Sequence, residues 1–388
     1  MRGSVLVEAE TPQAAERSLF LYSPVGGGHF QASSALADAW LVRHPGTIAR
    51  KIDYLQFMPD WERRLWPGLY NLSLRHWPAL WRNYRRWTNR PTEPSIIRNR
   101  VTDVGRDRFA SMLDVTQPRL VVSTIGGAAA LAGAAREKIG RSRAPFLNAL
   151  VMTDFRAHRH WARPEADLLF VACDEAKADL VACGIPPERI FVVGIPIPAL
   201  HPYAPAEKFQ ARMRLGLGED PVVLISSGAG SVYRAFDQLL SALADLNLPI
   251  DVVTSGGPAT GVERIGRMRL FRLGLRPDFC DWMAASDLVV GKLGGHTAAQ
   301  AFATGVPLVV FKPIPGQEED NASWAVAAGA AVWPRTRAAL KSTVVDLLYR
   351  EAGGIERKRM SLAARGVARP NAAGEIVRIL SAAMGERA

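Results

Sequence analysis

The chain has 388 residues, of which 48% are hydrophobic, and its formal net charge at pH 7 is +11. The length suits two domains of roughly 150 to 200 residues, and the charge predicts an anionic partner, whether nucleic acid, a phosphate-bearing substrate or an acidic membrane surface. No stretch approaches the ~20 apolar residues of a membrane-spanning helix. The three cysteines have neither zinc-ligand spacing nor the even number of a disulfide framework. We therefore expect a protein of the reducing cytoplasm, and any contact that it makes with a membrane must be peripheral.

The first half of the chain alternates short apolar runs with polar turns and helical patterns. Residues 1–17 are an N-terminal extension for which we expect disorder. LFLYS (19–23) then meets three glycines and His29, and the apolar residues that follow recur at helical spacing. The same alternation returns further along the chain, at residues 119–135, 146–155 and 167–185. Repeated β–α units predict a parallel sheet covered on both faces, in a first domain of residues 18–200.

The segment DWERRLWPGLYNLSLRHWPALWRNYRRWTNRP (residues 60–91) is rich in tryptophan and arginine. Residues 61–100 hold five of the ten tryptophans and nine arginines, against two acids, Glu62 and Glu93. Aromatic rings at headgroup depth beside arginines are typical of a peripheral membrane anchor. Nucleic-acid binding is an alternative use of the same composition, with bases stacked on the tryptophan rings. Packing in a core accounts for some of the tryptophans but not for the arginines beside them.

The pattern begins afresh after the proline-rich passage IPIPALHPYAP (195–205), and we place a linker at residues 201–220. Three strand-and-turn units follow it, PVVLISSGAGS, PIDVVTSGG and ASDLVVGKLGGHTAAQAFATG. They predict a second domain over residues 221–365, and RPNAAGEIVRILSAAMG predicts a closing helix within residues 366–388. The fold class is therefore α/β, with two Rossmann-like domains that face each other across a cleft.

Glycine-rich turns of the second domain offer a place for phosphate. Neither the dinucleotide fingerprint GxGxxG nor a Walker A loop is present. The turn at residues 294–297 precedes a helix whose backbone N–H groups and dipole can meet an anion, although a tight turn capped by Thr297 explains it equally well. Gln317, Glu318 and Asn321 lie near the next helix start, where they can converge on a ligand at the sheet edge or form a solvated first turn.

Four stretches together carry a resemblance to a known family: GGGHFQASSAL, VMTDFRAHRHW (151–161), DLLFVACDEAKADLVACGIPPERIFVVGIPI (167–197) and GGHTAAQAFATGVPLVVFKPIPGQEEDN. In order and spacing they resemble the MurG-like family of GT-B glycosyltransferases. Within that family they are most similar to the monogalactosyldiacylglycerol synthases and the bacterial processive diacylglycerol glucosyltransferases. The resemblance spans about residues 19–380.

The resemblance implies a GT-B fold with a C-terminal helix that closes back on the first domain. The implied reaction is inverting transfer of a hexose (glucose, galactose or glucuronate) from a UDP-sugar to diacylglycerol or a glycosyl-diacylglycerol, at the cytoplasmic face of the cell membrane. The expected partners are the UDP-sugar, the lipid acceptor and an anionic membrane surface. No nucleic acid is expected, and no cofactor or metal is required.

The resemblance also assigns roles to residues of the first domain. It carries the role of catalytic base onto His29. A histidine side chain suits that role, because its intrinsic pKa is near neutrality. Asp154 is a second catalytic candidate that could orient or replace His29, with a helix N-cap as the alternative for it. The residues expected to meet the acceptor are Gly27, Gly28, His158 and Trp161.

The donor is expected in the second domain. The chain has no DxD pair to hold a divalent ion, so a helix N-terminus takes the diphosphate. Gln300 stands where relatives commonly carry a glutamate that grips the ribose, and its neutral amide should grip the ribose less strongly. The predicted donor-binding residues are Ser227, Gly228, Gly230, Gly294, Gly295, His296, Thr297, Gln300, Gln317, Glu318 and Asn321.

The same resemblance places the lipid acceptor beside the tryptophan- and arginine-rich segment. The predicted membrane residues are Trp66, Trp77, Trp81, Arg82, Arg85, Arg86 and Trp87. A MurG-like transferase acting on a lipid-linked precursor and a UDP-sugar 2-epimerase, which would need no lipid surface, are the alternative enzymes. A non-catalytic membrane or RNA-binding protein would leave the paired glycine turns without a purpose.

Overall fold

The computed structural model describes residues 17–24, 27–89, 96–198, 205–226, 233, 235–274, 276 and 278–385. Residues 1–16 of the predicted N-terminal extension lie outside these ranges, and only its last residue, Arg17, is described. The strands of the first domain are β1 (Arg17–Tyr22), β2 (Ile48–Asp53), β3 (Leu120–Ser123), β4 (Leu147–Val151), β5 (Leu168–Val171) and β6 (Ile190–Val192). They pair in parallel in the order β2-β1-β3-β4-β5-β6. Every residue of β3 and β4 is buried, as expected for parallel strands with helices on both faces.

The helices of the first domain are α1 (Gly28–Arg43), α2 (Asp60–His76), α3 (Pro78–Thr88), α4 (Ile96–Thr116), α5 (Gly126–Ile139) and α6 (Asp174–Ala182). Helix α1 follows β1 through the glycine loop, and Gly27 opens it with a φ of 73° that favours glycine. Pro78 at the first position of α3 marks the break from α2, because proline has no N–H to continue a helix.

The second domain repeats this architecture. Its strands are β7 (Val222–Ser226), β8 (Ile250–Ile265), β9 (Met268–Gly274), β10 (Leu288–Gly291), β11 (Leu308–Val310) and β12 (Ala331–Val332), in the order β12-β11-β10-β7-β8-β9. Its helices are α7 (Pro205–Arg214), α8 (Phe236–Ala244), α9 (Phe279–Ala285), α10 (Gly295–Thr304), α11 (Gln317–Ala327), α12 (Arg337–Tyr349) and α13 (Glu351–Val367), and α14 (Ala372–Gly385) follows them. The predicted pair of α/β domains is confirmed.

The last helix returns to the first domain. Apolar side chains of α14, among them Ile376 and Leu380, share a buried cluster with Leu36 and Trp40 of α1. The predicted closing helix is therefore present, and it covers one face of the first sheet.

The predicted linker contains an ordered helix. Lys208 and Arg212 of α7 both bind Asp287, with Nζ to Oδ1 at 3.2 Å and Nη2 to Oδ2 at 2.6 Å. Asp287 also accepts the backbone N–H of Val222 at the start of β7. Residues 205–214 thus belong to the second domain, while residues 199–204 lie outside the described part of the chain.

The two domains meet at the carboxyl ends of their strands. Phe155, which follows β4, stacks on Trp324 of α11 with ring centroids 4.4 Å apart, and its ring lies edge-on to Phe302 of α10 at 5.6 Å. One buried apolar cluster contains Leu150 of β4 and Leu224 of β7. Ligands of open α/β sheets bind outside the carboxyl ends of the strands, so the residues at this interface form the candidate site.

Candidate active site

His29 lies in the first turn of α1, directly after the glycine loop. Its Nδ1 lies 2.7 Å from the carbonyl oxygen of Thr124, which follows β3. A carbonyl oxygen only accepts, so Nδ1 carries the proton, Nε2 keeps its lone pair, and a backbone group orients the ring. Desolvation lowers the pKa of His29 to about 4, and the hydrogen bond to Thr124 opposes that shift. The imidazole is therefore neutral at physiological pH and can accept a proton at Nε2, but its pKa lies below the near-neutral value expected from the sequence.

Thr153, which follows β4, joins His29 to the second domain. Its Oγ1 lies 3.3 Å from Nδ1 of His29, and its carbonyl oxygen faces the start of α10. A Cβ at Gly295 would lie 1.9 Å from that oxygen, so only glycine fits there. A Cβ at Gly28 would lie 3.5 Å from the Cβ of His296. The predicted base and the predicted phosphate-binding helix end are thus brought together.

Asp154 is buried and pairs across the domain interface. Its Oδ1 accepts from Nδ2 of Asn321 at 3.1 Å, while Oδ1 of Asn321 accepts the backbone N–H of Phe155 at 2.9 Å. Burial raises the pKa of Asp154, against the opposing hydrogen bond from Asn321 and the charge of Arg85. No helix begins at Asp154, so the N-cap alternative is wrong. In this structure Asp154 and Asn321 hold the two domains together.

Glu318 is buried in the first turn of α11, beside the start of α10. Its Oε1 accepts from Nζ of Lys292 and its Oε2 from the backbone N–H of Ile314, both at 2.8 Å. Burial raises the pKa of Glu318, and the Lys292 ammonium opposes that shift. A Cβ at Gly294 would lie 3.8 Å from Oε1 of Glu318. Two predicted donor-binding elements, the glycine turn and Glu318, are therefore neighbours.

Three other predicted donor residues lie on α10. Oγ1 of Thr297 is 3.3 Å from Oγ of Ser226, the last residue of β7. Gln300 is buried, and its Nε2 donates to Sγ of Cys280 at 3.1 Å. His296 is also buried, desolvation lowers its pKa to about 4, and its Nε2 has no hydrogen-bond partner within the described ranges. The donor role of each stays a prediction.

His158 is held by the protein at both ring nitrogens. Its Nδ1 accepts the backbone N–H of His160 at 3.2 Å, so Nε2 carries the proton and donates to the carbonyl oxygen of Arg85 at 2.9 Å. Burial lowers the pKa of His158 to about 4. Trp161 is buried, with its ring centroid 6.2 Å from that of His29. The acceptor roles of His158 and Trp161 stay predictions, while His158 fastens α3 to its own domain.

The tryptophan- and arginine-rich segment forms α2 and α3, and two of its arginines face protein. Arg82 makes a two-bond pair with Glu319, from Nη2 to Oε1 at 2.7 Å and from Nε to Oε2 at 3.2 Å. The side chain of Arg85 is 15% exposed, donates to Oε1 of Gln317 at 3.3 Å and lies 3.7 Å from Oδ2 of Asp320. Carboxylates of α11 thus face both arginines, while the side chain of Arg82 is still 39% exposed, and the membrane role of the two residues stays a prediction.

Other side chains of the same segment are exposed. Trp77 and Trp87 are 56% and 42% exposed, and Arg86 faces solvent. Helix α2 adds four exposed apolar residues, Trp61, Leu65, Leu69 and Leu72. They are three or four positions apart, so they lie on one side of the helix, which we call the α2 face. Two other predicted membrane residues, Trp66 and Trp81, have side chains that are not described. Three predicted donor residues lie outside the described residues, namely Ser227, Gly228 and Gly230.

Three residues that shape the site were not predicted: Thr124, Thr153 and Lys292. Each comes directly after, or one residue beyond, a buried strand, at the end that faces the other domain. That position is visible in the sequence, where polar residues follow the apolar runs of β3, β4 and β10. The partner of each residue is not visible there, since it belongs to a distant part of the chain.

The described part of the chain contains no group of three His, Cys, Asp or Glu side chains placed to hold a metal ion. Its helices include none that is both long and apolar enough to cross a membrane.

Two Rossmann-like domains that meet at their strand ends, with a final helix that returns to the first, define the GT-B class of fold. MurG of Acinetobacter baumannii has this fold; the two structures match with a TM-score of 0.61 at 16% sequence identity, over 95% of this chain and 99% of that one. At this identity the likeness shows the fold alone.

The sequence profile of the monogalactosyldiacylglycerol (MGDG) synthase family matches residues 29–197. The processive diacylglycerol beta-glucosyltransferase of Bacillus mycoides (strain KBAB4) is 30% identical over 284 residues, which is 70% of either chain. The enzyme of the same name from Staphylococcus haemolyticus (strain JCSC1435) is 31% identical over 188 residues, 45% of this chain and 46% of that protein, so the match spans about half of that relative. The chain belongs to the family of MGDG synthases and processive diacylglycerol glucosyltransferases.

Proposed function

We propose that the protein is an inverting glycosyltransferase that moves a hexose from a UDP-sugar to diacylglycerol or a glycosyl-diacylglycerol. The observation that carries this proposal is the contact between His29 and the start of α10 through Thr153. An inverting glycosyl transfer in a cleft between two domains can take its general base from one domain and its anion-binding group from the other. The names of the relatives support diacylglycerol as the acceptor.

His29 accepts the proton of the acceptor hydroxyl. Because Nδ1–H is bonded to the carbonyl of Thr124, Nε2 is the nitrogen with a lone pair for that hydroxyl. As the hydroxyl oxygen bonds to the anomeric carbon, its proton passes to Nε2, and the bond from that carbon to the diphosphate oxygen breaks. The electron pair of the broken bond leaves with UDP. Attack on the face opposite the leaving group inverts the anomeric configuration.

The start of α10 stabilises the departing diphosphate. The backbone N–H groups of residues 295–297 open the helix, so they have no acceptor within it. Together with the helix dipole they favour a bound anion, and no metal ion is needed for that purpose. Gln317 and Glu318 are assigned to the hexose hydroxyls, as the family resemblance implies, and Lys292 holds Glu318 beside the same helix end.

The α2 face is assigned to the membrane. Its apolar side chains would enter the headgroup region while Arg86, exposed on α3, meets anionic lipid. A peripheral location at the cytoplasmic face of the membrane is part of the proposal. In flotation with anionic phospholipid vesicles, a Leu65→Ser/Leu69→Ser variant should lose most of its binding.

A matched control removes two exposed apolar side chains elsewhere. Ile355 and Leu362 of α13 are 67% and 71% exposed, and an Ile355→Ser/Leu362→Ser variant should bind vesicles as well as the unmodified protein. Equal binding by the two double variants would place the membrane contact outside the α2 face.

The reaction is tested by incubating the purified protein with diacylglycerol vesicles and UDP-glucose, UDP-galactose or UDP-glucuronate in turn. Mass analysis of the lipids should show diacylglycerol that has gained one or more hexose units from one of these donors. Parallel reactions with a lipid-linked peptidoglycan precursor and with UDP-N-acetylglucosamine alone test the two alternative enzymes. Product from these reactions only, or from none, would overturn the proposal.

A further inference from the structure

Helix α3 reaches from the first domain to the first turn of α11 in the second. Both nitrogens of the Arg82 fork bind the two carboxylate oxygens of Glu319, which is the strongest geometry for this ion pair. Oε2 of Glu319 also accepts the backbone N–H of Gly316 at 2.9 Å. One carboxylate therefore ties the start of α11 both to its own N-terminal turn and to α3.

Arg85 makes a second contact one helical turn further along α3. Its guanidinium donates to Gln317 and lies beside Asp320, and its stem packs against Gly316. A Cβ at Gly316 would lie 2.7 Å from Cδ of Arg85, and Gly316 has a φ of 88°, so two observations require glycine there. The turn that precedes α11 is thus shaped to receive α3.

The other end of α3 is fixed to the first domain. The carbonyl oxygen of Arg85 accepts Nε2–H of His158, and Oδ1 of Asn89 accepts the backbone N–H of Arg159 at 3.0 Å. Because one end is tied to the loop after β4 and the side chains are tied to α11, α3 links the two domains at the edge of the candidate site.

We propose that Arg82 and Arg85 are positioning residues of the donor site: they hold the first turn of α11, and with it Gln317 and Glu318, in place against the first domain. This inference rests on the proposed function and extends it, since it makes part of the tryptophan- and arginine-rich segment a support for the nucleotide-sugar site. Membrane attachment then falls to the α2 face. The α2–α3 segment connects the lipid surface to donor binding.

The test compares Arg82→Glu with a matched control, Arg64→Glu, which makes the same charge change at an exposed position of α2. UDP is titrated into each protein by calorimetry without membranes, and amide hydrogen exchange is measured over residues 316–320. Arg82→Glu should weaken UDP binding about tenfold and speed exchange in this turn. Arg64→Glu should change neither quantity, and Arg82→Lys, which keeps the charge but not the two-bond geometry, should lie between Arg82→Glu and the unmodified protein.

Unchanged exchange in Arg82→Glu, or equal effects of Arg82→Glu and Arg64→Glu, would overturn the positioning role. Unchanged UDP affinity together with faster exchange would overturn its link to the donor. If the unmodified protein binds no UDP, the proposed function fails, and the exchange data alone still decide whether Arg82 holds the turn.

Discussion

Replacing Asn321 by aspartate is expected to weaken the contact between the domains without changing the size of the side chain. Asn321 is fully buried, and its Nδ2 lies 3.1 Å from Oδ1 of Asp154. In the variant a carboxylate oxygen takes the place of Nδ2, and two unit charges ~3 Å apart repel by about 5 kcal/mol at an effective dielectric constant near 20. Uptake of a proton relieves part of this repulsion, so we expect the free energy of unfolding to fall by about 4 kcal/mol at pH 8.

The pH dependence identifies the cause of that loss. Burial and the neighbouring charge raise the pKa of the new carboxyl above its value in the unfolded chain, so the folded variant binds more protons than the unfolded one. Its stability relative to the unmodified protein should therefore recover as the pH falls from 8 to 6. Urea unfolding at both pH values measures this.

Asn83→Asp, at an exposed position of α3, is the matched control for this experiment, and it should change the unfolding free energy by less than about 0.5 kcal/mol. No loss of stability in Asn321→Asp, or a loss that is equal at pH 8 and pH 6, would refute the reasoning.

Acid should destabilise the fold, because burial lowers the pKa of His158 and of His296 from the ordinary 6.5 to about 4. Each histidine contributes up to about 3 kcal/mol to the free energy of unfolding, which is present above pH 6.5 and lost as the pH falls towards 4. His296→Phe should therefore lose less stability between pH 7.5 and pH 5, as measured by melting curves. An unchanged loss would contradict the assignment. Gly295→Ala should lower both the melting temperature and the activity, since its Cβ would lie 1.9 Å from the Thr153 carbonyl oxygen, whereas Gly354→Ala, with nothing within 4 Å, should lower neither. Similar melting temperatures for the two glycine variants would contradict the close approach.

The positions of His29 and of the α10 glycines could be predicted from the sequence. Each follows a short apolar run, and the carboxyl ends of parallel strands lie at the edge where ligands bind. Two such edges facing each other bring α1 and α10 together, as the contact between Gly28 and His296 shows. Periodicity and topology were sufficient for this part of the site.

The pairs across the domain interface could not be predicted. Asp154 and Asn321 are 167 residues apart in the chain, and nothing in either stretch names the other as its partner. The acids in the first turn of α11 agree with the helix dipole alone, so they gave no sign of Arg82 and Arg85 opposite them. Arginine composition predicts an anion but does not distinguish a lipid phosphate from a carboxylate of the same chain.

The predicted linker was too long for a similar reason. Residues 205–214 follow a proline-rich passage and have no strong apolar pattern. The pairing of Lys208 and Arg212 with Asp287, which fixes this helix, depends on a residue more than 70 positions away. Local composition could not show it.

The most direct test of the central claim compares the unmodified protein with His29→Ala. Each is incubated with diacylglycerol and the UDP-hexose that the protein accepts, and mass analysis of the lipid product gives the rate of hexose transfer. Loss of the base should lower kcat by about 10²- to 10⁴-fold and leave UDP affinity unchanged, because UDP is assigned to α10. Equal rates for the two proteins, with both folded, would contradict the assignment of His29 as the base.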